Sequence, residues 1–277
     1  MKRLMNREPG AAIKLFLMLS PFVLALIAYA IASDIRLAEN PNDKLLPSLT
    51  TFGEAIQRMA FEPSKRTGTY LLWDDTLSSL IRLTWGVGIS ALLGLMFGIA
   101  NGVIPYVRAN LSPFITAISL IPPMAVLPIL FIVFGLGELS KVVLIVFGTA
   151  PFIIRELQGK VLEIPQEQLI KAQTLGGSTW QVIIRVVLPQ ISPRLIDAVR
   201  LTLGASWLFL IAAEAIAATE GLGYRIFLVR RYLSMDVILP YVAWITLLAF
   251  IMDYALKQLS IKAFPWFHGL SKEGGKS

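Results

Sequence analysis

Residues 166–193 read QEQLIKAQTLGGSTWQVIIRVVLPQISP. Gln166 to Leu175 carries a helical pattern, Gly176-Gly177 supplies a reversal, and Ser178 is placed to cap a second helix starting at Thr179. Leu188-Pro189 is expected to end that second helix, because proline brings no backbone N–H and crowds the preceding turn. The stretch is polar, yet the sequence on both sides of it is apolar over lengths that cross a bilayer, which takes about 20 helical residues. A water-facing helix–turn–helix inserted between membrane segments has little core of its own to build. It is expected to touch another protein.

Composition sets the same frame. The chain has 277 residues, of which 56% are hydrophobic and only 16% charged, with a mean hydropathy of +0.69. Soluble domains carry about 25% charged residues, so this chain lacks the polar surface to stay in water and reads as a multi-pass membrane protein. The formal charge of +7 fits basic residues on cytoplasmic flanks of membrane helices and does not indicate a nucleic-acid partner. With no cysteine, thiol catalysis, disulfides and thiolate metal sites are excluded.

Outward from residues 166–193, the predicted fold is an all-α integral membrane protein with six transmembrane helices. They cover about 11–33, 77–102, 111–134, 140–154, 195–219 and 237–259, with the polar segment between the fourth and fifth. The run from Ala11 to Ser33 is too long for a secretory signal and is taken as a retained helix. Between helices 1 and 2, PSLTTFGEAIQRMAF has amphipathic spacing and is expected to lie at the membrane surface; Asp75 or Thr76 is expected to cap helix 2. Three parts follow: 1–76 with the first helix and an exposed segment, 77–262 as the membrane core, and 263–277 as a cytoplasmic tail. Gly94, Gly98 and Gly102 form a small-residue stripe for close helix packing. Helix 3 contains SLIPPMAVLP, whose prolines break it, either as a kink or to line a pathway.

An even number of crossings puts both termini on one side. Lys2, Arg3, Arg7 and Lys14, with Lys257, Lys262, Lys272 and Lys276, assign that side to the cytoplasm. The polar segment falls there too, with Arg155, Lys160, Lys171, Arg185 and Arg194. Arg225, Arg230 and Arg231 then lie outside, against the rule; they are either paired by Glu220 and Asp236 or bias an outer vestibule towards anions. The C-terminal GGKS lacks the first glycine of a phosphate loop, since Leu270 stands there, and no helix follows. The single His268 and the absence of any Ser/His/Asp set or carboxylate pair in the membrane region argue against catalysis and against a metal site.

The spacing A-x-x-x-G-(x)11-L-P, from Ala172 through Gly176 to Leu188-Pro189, resembles the cytoplasmic coupling loop of binding-protein-dependent ABC importer permeases. SLIPPMAVLPILFIVFGLGELSK (119–141), AAEAIAATEGLGYRIFLVRRYLSMDVI (212–238) and GGSTWQVIIRVVLP (176–189) resemble the branch that serves nitrate, sulfonate and taurine, over about residues 75–260. The resemblance implies a bacterial inner-membrane permease, with two permease copies, two ATPase subunits that use ATP and Mg, and an extracytoplasmic solute-binding protein. It implies no cofactor in this chain. Lys171, Ala172, Gln173, Thr174, Leu175, Gly176, Gly177, Leu188 and Pro189 would form the ATPase contact, with Ala172 permitting close approach. The sequence departs from the family at Ile170, where an acid is usual.

Candidates for the solute pathway are Ser119, Pro122, Pro123, Met124, Thr202, Ser206 and Glu214. Two roles fit Glu214, an ionisable group inside a membrane helix: a pathway or gate residue, or a packing partner of Arg82, Trp207 or backbone freed by the helix 3 prolines. A secondary transporter or channel is the competing class. It would need coupling-ion sites or inverted repeats, and Glu214 is the one candidate.

Overall fold

A computed structural model describes residues 9–41, 43–65 and 68–268. The basic residues Lys2, Arg3, Arg7, Lys272 and Lys276, and the end of the expected tail, lie outside them. The described residues contain helices and no strand. They divide into two compact units, one of residues up to Tyr70 with Val229–Tyr241, the other of Leu71–Leu228 with residues from Val242 onward.

In the first unit α1 (Ala11–Glu39) is a long apolar helix. The link after it is fastened back to it, because Tyr29 OH donates to the Pro47 carbonyl at 2.7 Å and Ser33 Oγ to the Leu46 carbonyl at 2.9 Å. Within this link the Leu45 N–H, and then the Arg36 guanidinium, hold the Asp43 carboxyl below its usual range. The expected amphipathic helix is α2 (Leu49–Ala60), whose first turn is capped by Ser48 Oγ accepting from Thr51 N–H at 3.2 Å.

The second unit is built on α3 (Leu71–Val103), α6 (Glu138–Leu162) and α9 (Leu188–Ala217). A Cβ added at Gly86, Gly94, Gly98 or Gly102 of α3 would come within 2.7, 2.3, 2.7 and 2.4 Å of Ile145, Ile153, Leu157 and Val161 of α6. Ser90, in the same stripe, accepts a 2.7 Å hydrogen bond from Thr149 Oγ1. The difference in residue number is the same in all five pairs. Two helices that meet at constant offset run parallel, side by side. The three-glycine stripe is thus one part of a longer stripe that begins at Gly86.

Parallel packing of α3 and α6 decides the number of crossings. The chain between them must travel back over the same thickness, and the elements available are α4 (Pro105–Ser119) and α5 (Pro123–Phe134), which meet at a 97° bend. Taken together as one broken crossing, they bring the helices among the described residues that are long and apolar enough to cross a membrane from five to six. The helix expected over 111–134, with prolines breaking it, is two helices, and the first begins earlier, at Pro105. Pro122 and Pro123 bring no N–H to the break, and Pro123 starts the new helix in the position proline favours.

Other expectations are corrected. α3 begins at Leu71, so Asp75 and Thr76 sit inside the helix and do not cap it; Thr76 Oγ1 donates to its own Leu72 carbonyl. The helix expected at 140–154 extends to Leu162. Leu188-Pro189 does not end a helix. α8 (Thr179–Val182) passes through a wide π turn at Ile183–Val187 directly into α9. The π turn bonds Leu188 N–H to the Ile183 carbonyl, and this opened turn accommodates a proline ring that would otherwise clash. α11 (Met235–Ala263) is joined to this unit by the bidentate Arg200–Asp253 pair at 2.8 and 3.0 Å and by Trp244 Nε1 donating to Thr76 Oγ1 at 2.9 Å.

Candidate functional site

α6 runs towards, and α9 runs away from, the segment quoted at the outset, so that segment lies at one end of the α3/α6/α9 bundle. α7 (Gln166–Thr174) is followed by Gly176 with a φ of +85°, a left-handed conformation that favours glycine. Gly177 must also lack a side chain, since a Cβ there would lie 2.7 Å from the Ala172 carbonyl oxygen, which accepts the Gly177 N–H. Ser178 then caps α8 in a reciprocal box: its Oγ accepts from Gln181 N–H, and Gln181 Oε1 accepts from Ser178 N–H at 2.9 Å. The reversal and the cap are where the sequence reading put them.

Leu169 and Ala172 pack inward on the cluster containing Val182, Val187 and Ile191, and Gln190 Nε2 ties α9 to Gln168 Oε1 at 3.2 Å. Ala172 is half-buried against its own chain. Lys171, Gln173, Thr174 and Leu175 are exposed, as are Ile170 at 55%, Leu175 at 88% and Trp180 at 68%. Three large apolar side chains are thus left exposed on a polar segment, one of them Ile170, which stands where the resemblance places an acid.

At the other end of the bundle, polar groups turn inward. Glu214 is fully buried. Its carboxylate accepts from Ser79 Oγ at 2.8 and 3.0 Å, from Arg82 Nη1 at 2.8 Å and from Gly223 N–H at 2.8 Å. Arg82 is 3% exposed and also donates to both Glu138 oxygens and to the Glu220 carbonyl at 2.9 Å. Glu138 in turn holds Lys141 at 2.7 Å.

The same face of α3 holds the start of α10 (Leu222–Arg230). Asp75 Oδ1 accepts from Gly221 N–H at 2.9 Å and Ser79 Oγ from Leu222 N–H at 2.9 Å. With Gly223 N–H on Glu214, three successive backbone donors are satisfied by buried side chains, as a helix start away from water requires. Gly221 has a φ of +123°, and a Cβ there would lie 2.6 Å from the Glu214 carboxylate. Asp75, Ser79 and Arg82 recur at helical spacing, the sequence signal that could have found this clamp.

Among the roles open to Glu214, the geometry supplies the Arg82 partner; Trp207 Nε1 is buried and bonds nothing. The expected pairing of the basic strip is corrected. Arg225 meets Asp75 at 2.8 Å, Glu220 approaches Arg82 at 3.7 Å, and Asp236 approaches Arg58 at 3.4 Å.

The pathway candidates are not brought together. Thr202 and Ser206 are buried, with hydroxyls donating to the carbonyls of Val199 and Thr202. Ser119 closes α4, while Pro122, Pro123 and Met124 open α5, and neither set contacts the Glu214 clamp through a hydrogen bond. Among the described residues no cluster of His, Asp or Glu could hold a metal ion.

Residues 86–260 match the family model described as the binding-protein-dependent transport system inner membrane component. The chain belongs to this family of ABC transporter permeases. It is 39% identical over 199 residues to the taurine transport system permease protein TauC of Escherichia coli, covering 72% of each chain. Over 68% of each, it is 29% identical to the putative aliphatic sulfonates transport permease protein SsuC of Bacillus subtilis. Over 56% of each, it is 33% identical to the bicarbonate transport system permease protein CmpB of Synechococcus elongatus. An inward-facing structure of the MetNI methionine ABC transporter superposes with a TM-score of 0.62 at 22% identity, over 71% of this chain and 97% of that one, which establishes the shared fold. This permease is thus an inner-membrane component whose ATPase is a separate partner.

Proposed function

We propose that this permease imports a small anion of the sulfonate, taurine, nitrate or bicarbonate type, received from an extracytoplasmic binding protein. The support is the set of relatives named above. Two copies would combine with two ATPase subunits, which use ATP and Mg, while this chain itself needs no cofactor. The 77–262 segment would be the transport core. Both termini and α7 would face the cytoplasm, following the excess of basic residues there, and the Glu214 clamp would face outward.

The observation that carries the reading is the exposure of Ile170, Leu175 and Trp180 on and after a short helix braced by Leu169 and Ala172. These side chains offer the ATPase an apolar contact, with Lys171, Gln173, Thr174 and the turn at Gly176-Gly177 at its rim. Movement of α7 would pass through Gln168–Gln190 and the π turn before Leu188-Pro189 into α9, rocking the bundle between outward- and inward-open states. An apolar Ile170 means that the contact relies on burial in place of a charge at that position. In this account Glu214 is structural, because Ser79, Arg82 and Gly223 already occupy its carboxylate. Thr202 and Ser206 would shape the helix wall, and Ser119, Pro122, Pro123 and Met124 at the break would border the pathway.

The test is reconstitution with the cognate ATPase and binding protein. ATP-driven uptake of labelled taurine, ethanesulfonate or bicarbonate is expected. Uptake that runs on an ion gradient without the ATPase would refute the proposal.

A further inference from the structure

Among the described residues Arg108, Arg155, Arg185 and Arg194 have no carboxylate within ion-pair distance; Arg194 stacks on the Phe267 ring at 4.6 Å, and Arg155 alone of the four reaches the α4–α5 break through a hydrogen bond. Arg82 and Arg200 each face a carboxylate. Arg155 is exposed and has no carboxylate within ion-pair distance among the described residues; its guanidinium donates from Nη1 to Ser119 Oγ at 2.7 Å. It lies about two turns before the end of α6, roughly 10 Å along a helix of about 37 Å. Arg155 therefore sits within a helix long and apolar enough to cross a membrane, and not beyond its end as the expected helix 140–154 had it. A charge there needs water, a partner or a cavity. Glu156, next in sequence, projects about 100° away around the helix.

A second observation concerns what Arg155 touches. Ser119 is the last residue of α4, at the 97° break. Leu120 is 74% exposed, Ile121 and Pro122 are exposed beside it, and the break has no proline N–H to satisfy backbone. Irregular backbone at membrane depth is tolerated where protein covers it or where it lines a water-filled cavity, and not against lipid tails. The unpaired guanidinium and the exposed break lie on one surface and make the same demand of it.

From this we infer that Arg155, held by Ser119 at the α4–α5 break, lines the translocation pathway and is the cation that contacts a sulfonate or carboxylate-type anion in transit. The inference rests on the anion-import reading above. The hydroxyl of Ser119 positions the guanidinium through Nη1, leaving its remaining donors for two oxygens of one anionic group.

Because the chain has no cysteine, Arg155→Cys gives it a single thiol. The full complex with ATPase and binding protein, in proteoliposomes, is treated with the water-borne anionic reagent sulfonatoethyl methanethiosulfonate, and labelling of this chain is read by mass. Labelling at position 155 that is slowed by ethanesulfonate is expected. Reaction with a lipid-soluble maleimide alone would show a lipid-facing arginine paired with headgroups and overturn the inference. In parallel, Arg155→Gln is expected to raise the apparent KM for ethanesulfonate about tenfold, the loss of one charged hydrogen-bonding group, with Arg155→Lys recovering part of it. An unchanged KM in a monodisperse Arg155→Gln complex would equally overturn it. Should the wild type carry none of the three anions, the substrate reading fails on its own, while thiol labelling still decides whether Arg155 faces water.

Discussion

The two ends of the α3/α6/α9 bundle solve opposite problems. At the clamp end, charged side chains turn inward and are paired: Glu214 meets Ser79, Arg82 and Gly223 N–H, and Asp75 meets Arg225 and Gly221 N–H. At the other end, the apolar side chains Ile170, Leu175 and Trp180 turn outward and cover nothing. The clamp stabilises its own chain; the α7 segment leaves apolar side chains exposed, and we propose that an ATPase subunit covers them. On that proposal, mutations at the two ends should separate stability from assembly.

The largest stability effect is expected at Glu214→Ala. Removing Glu214 strips the buried Arg82 of its one buried carboxylate, leaving the exposed Glu138 and Glu220, and takes the acceptor from Ser79 Oγ and Gly223 N–H. A cost of about 3 kcal/mol is expected, read as a fall in the thermal midpoint of the detergent-solubilised permease. Replacing both, as Arg82→Met with Glu214→Leu, should be milder than either single change. A double variant worse than both singles would break the view that the pair is mainly structural.

Next comes Gly94→Leu on the α3–α6 seam. The nearest Ile153 atom is 2.3 Å from the added Cβ, so overpacking should cost about 1–3 kcal/mol, with Ile153→Ala restoring part of it. At the contact end, Leu175→Asp should leave the permease's own midpoint unchanged. It should weaken ATPase association by about 2 kcal/mol, the scale of an interface anchor, as measured by binding titration. The smallest effect is expected at Ser178→Ala, which removes the α8 cap and should cost about 1 kcal/mol, seen as faster amide exchange at Gln181.

Much of this was legible in the residues. Apolar runs marked the crossings, Gly176 and Gly177 marked the reversal, and Ser178 with Gln181 marked the cap, because each depends on local backbone demands. Glu214 stood out as a charge in an apolar helix. Its partners did not, since Ser79, Arg82 and Gly223 come from elements far apart in sequence. The α3 stripe was read from Gly94 onward; Gly86 and Ser90 became part of it only against Ile145 and Thr149. The persistence of helix through Leu188-Pro189 was hidden because a π turn, unmarked by any residue type, relieves the proline. The inward direction of Ala172 depended on a cluster from α6, α8 and α9.

The central claim is that the exposed face of α7 is the ATPase contact. Leu175→Cys in this cysteine-free chain, joined to a cysteine scanned along the surface of the cognate ATPase, measures it directly. The account predicts a site-specific cross-link at position 175 in the assembled complex, whose formation blocks ATP-driven uptake. An assembled complex that couples ATP hydrolysis to uptake, yet yields no cross-link at 175 or 170 with any ATPase position, would contradict it.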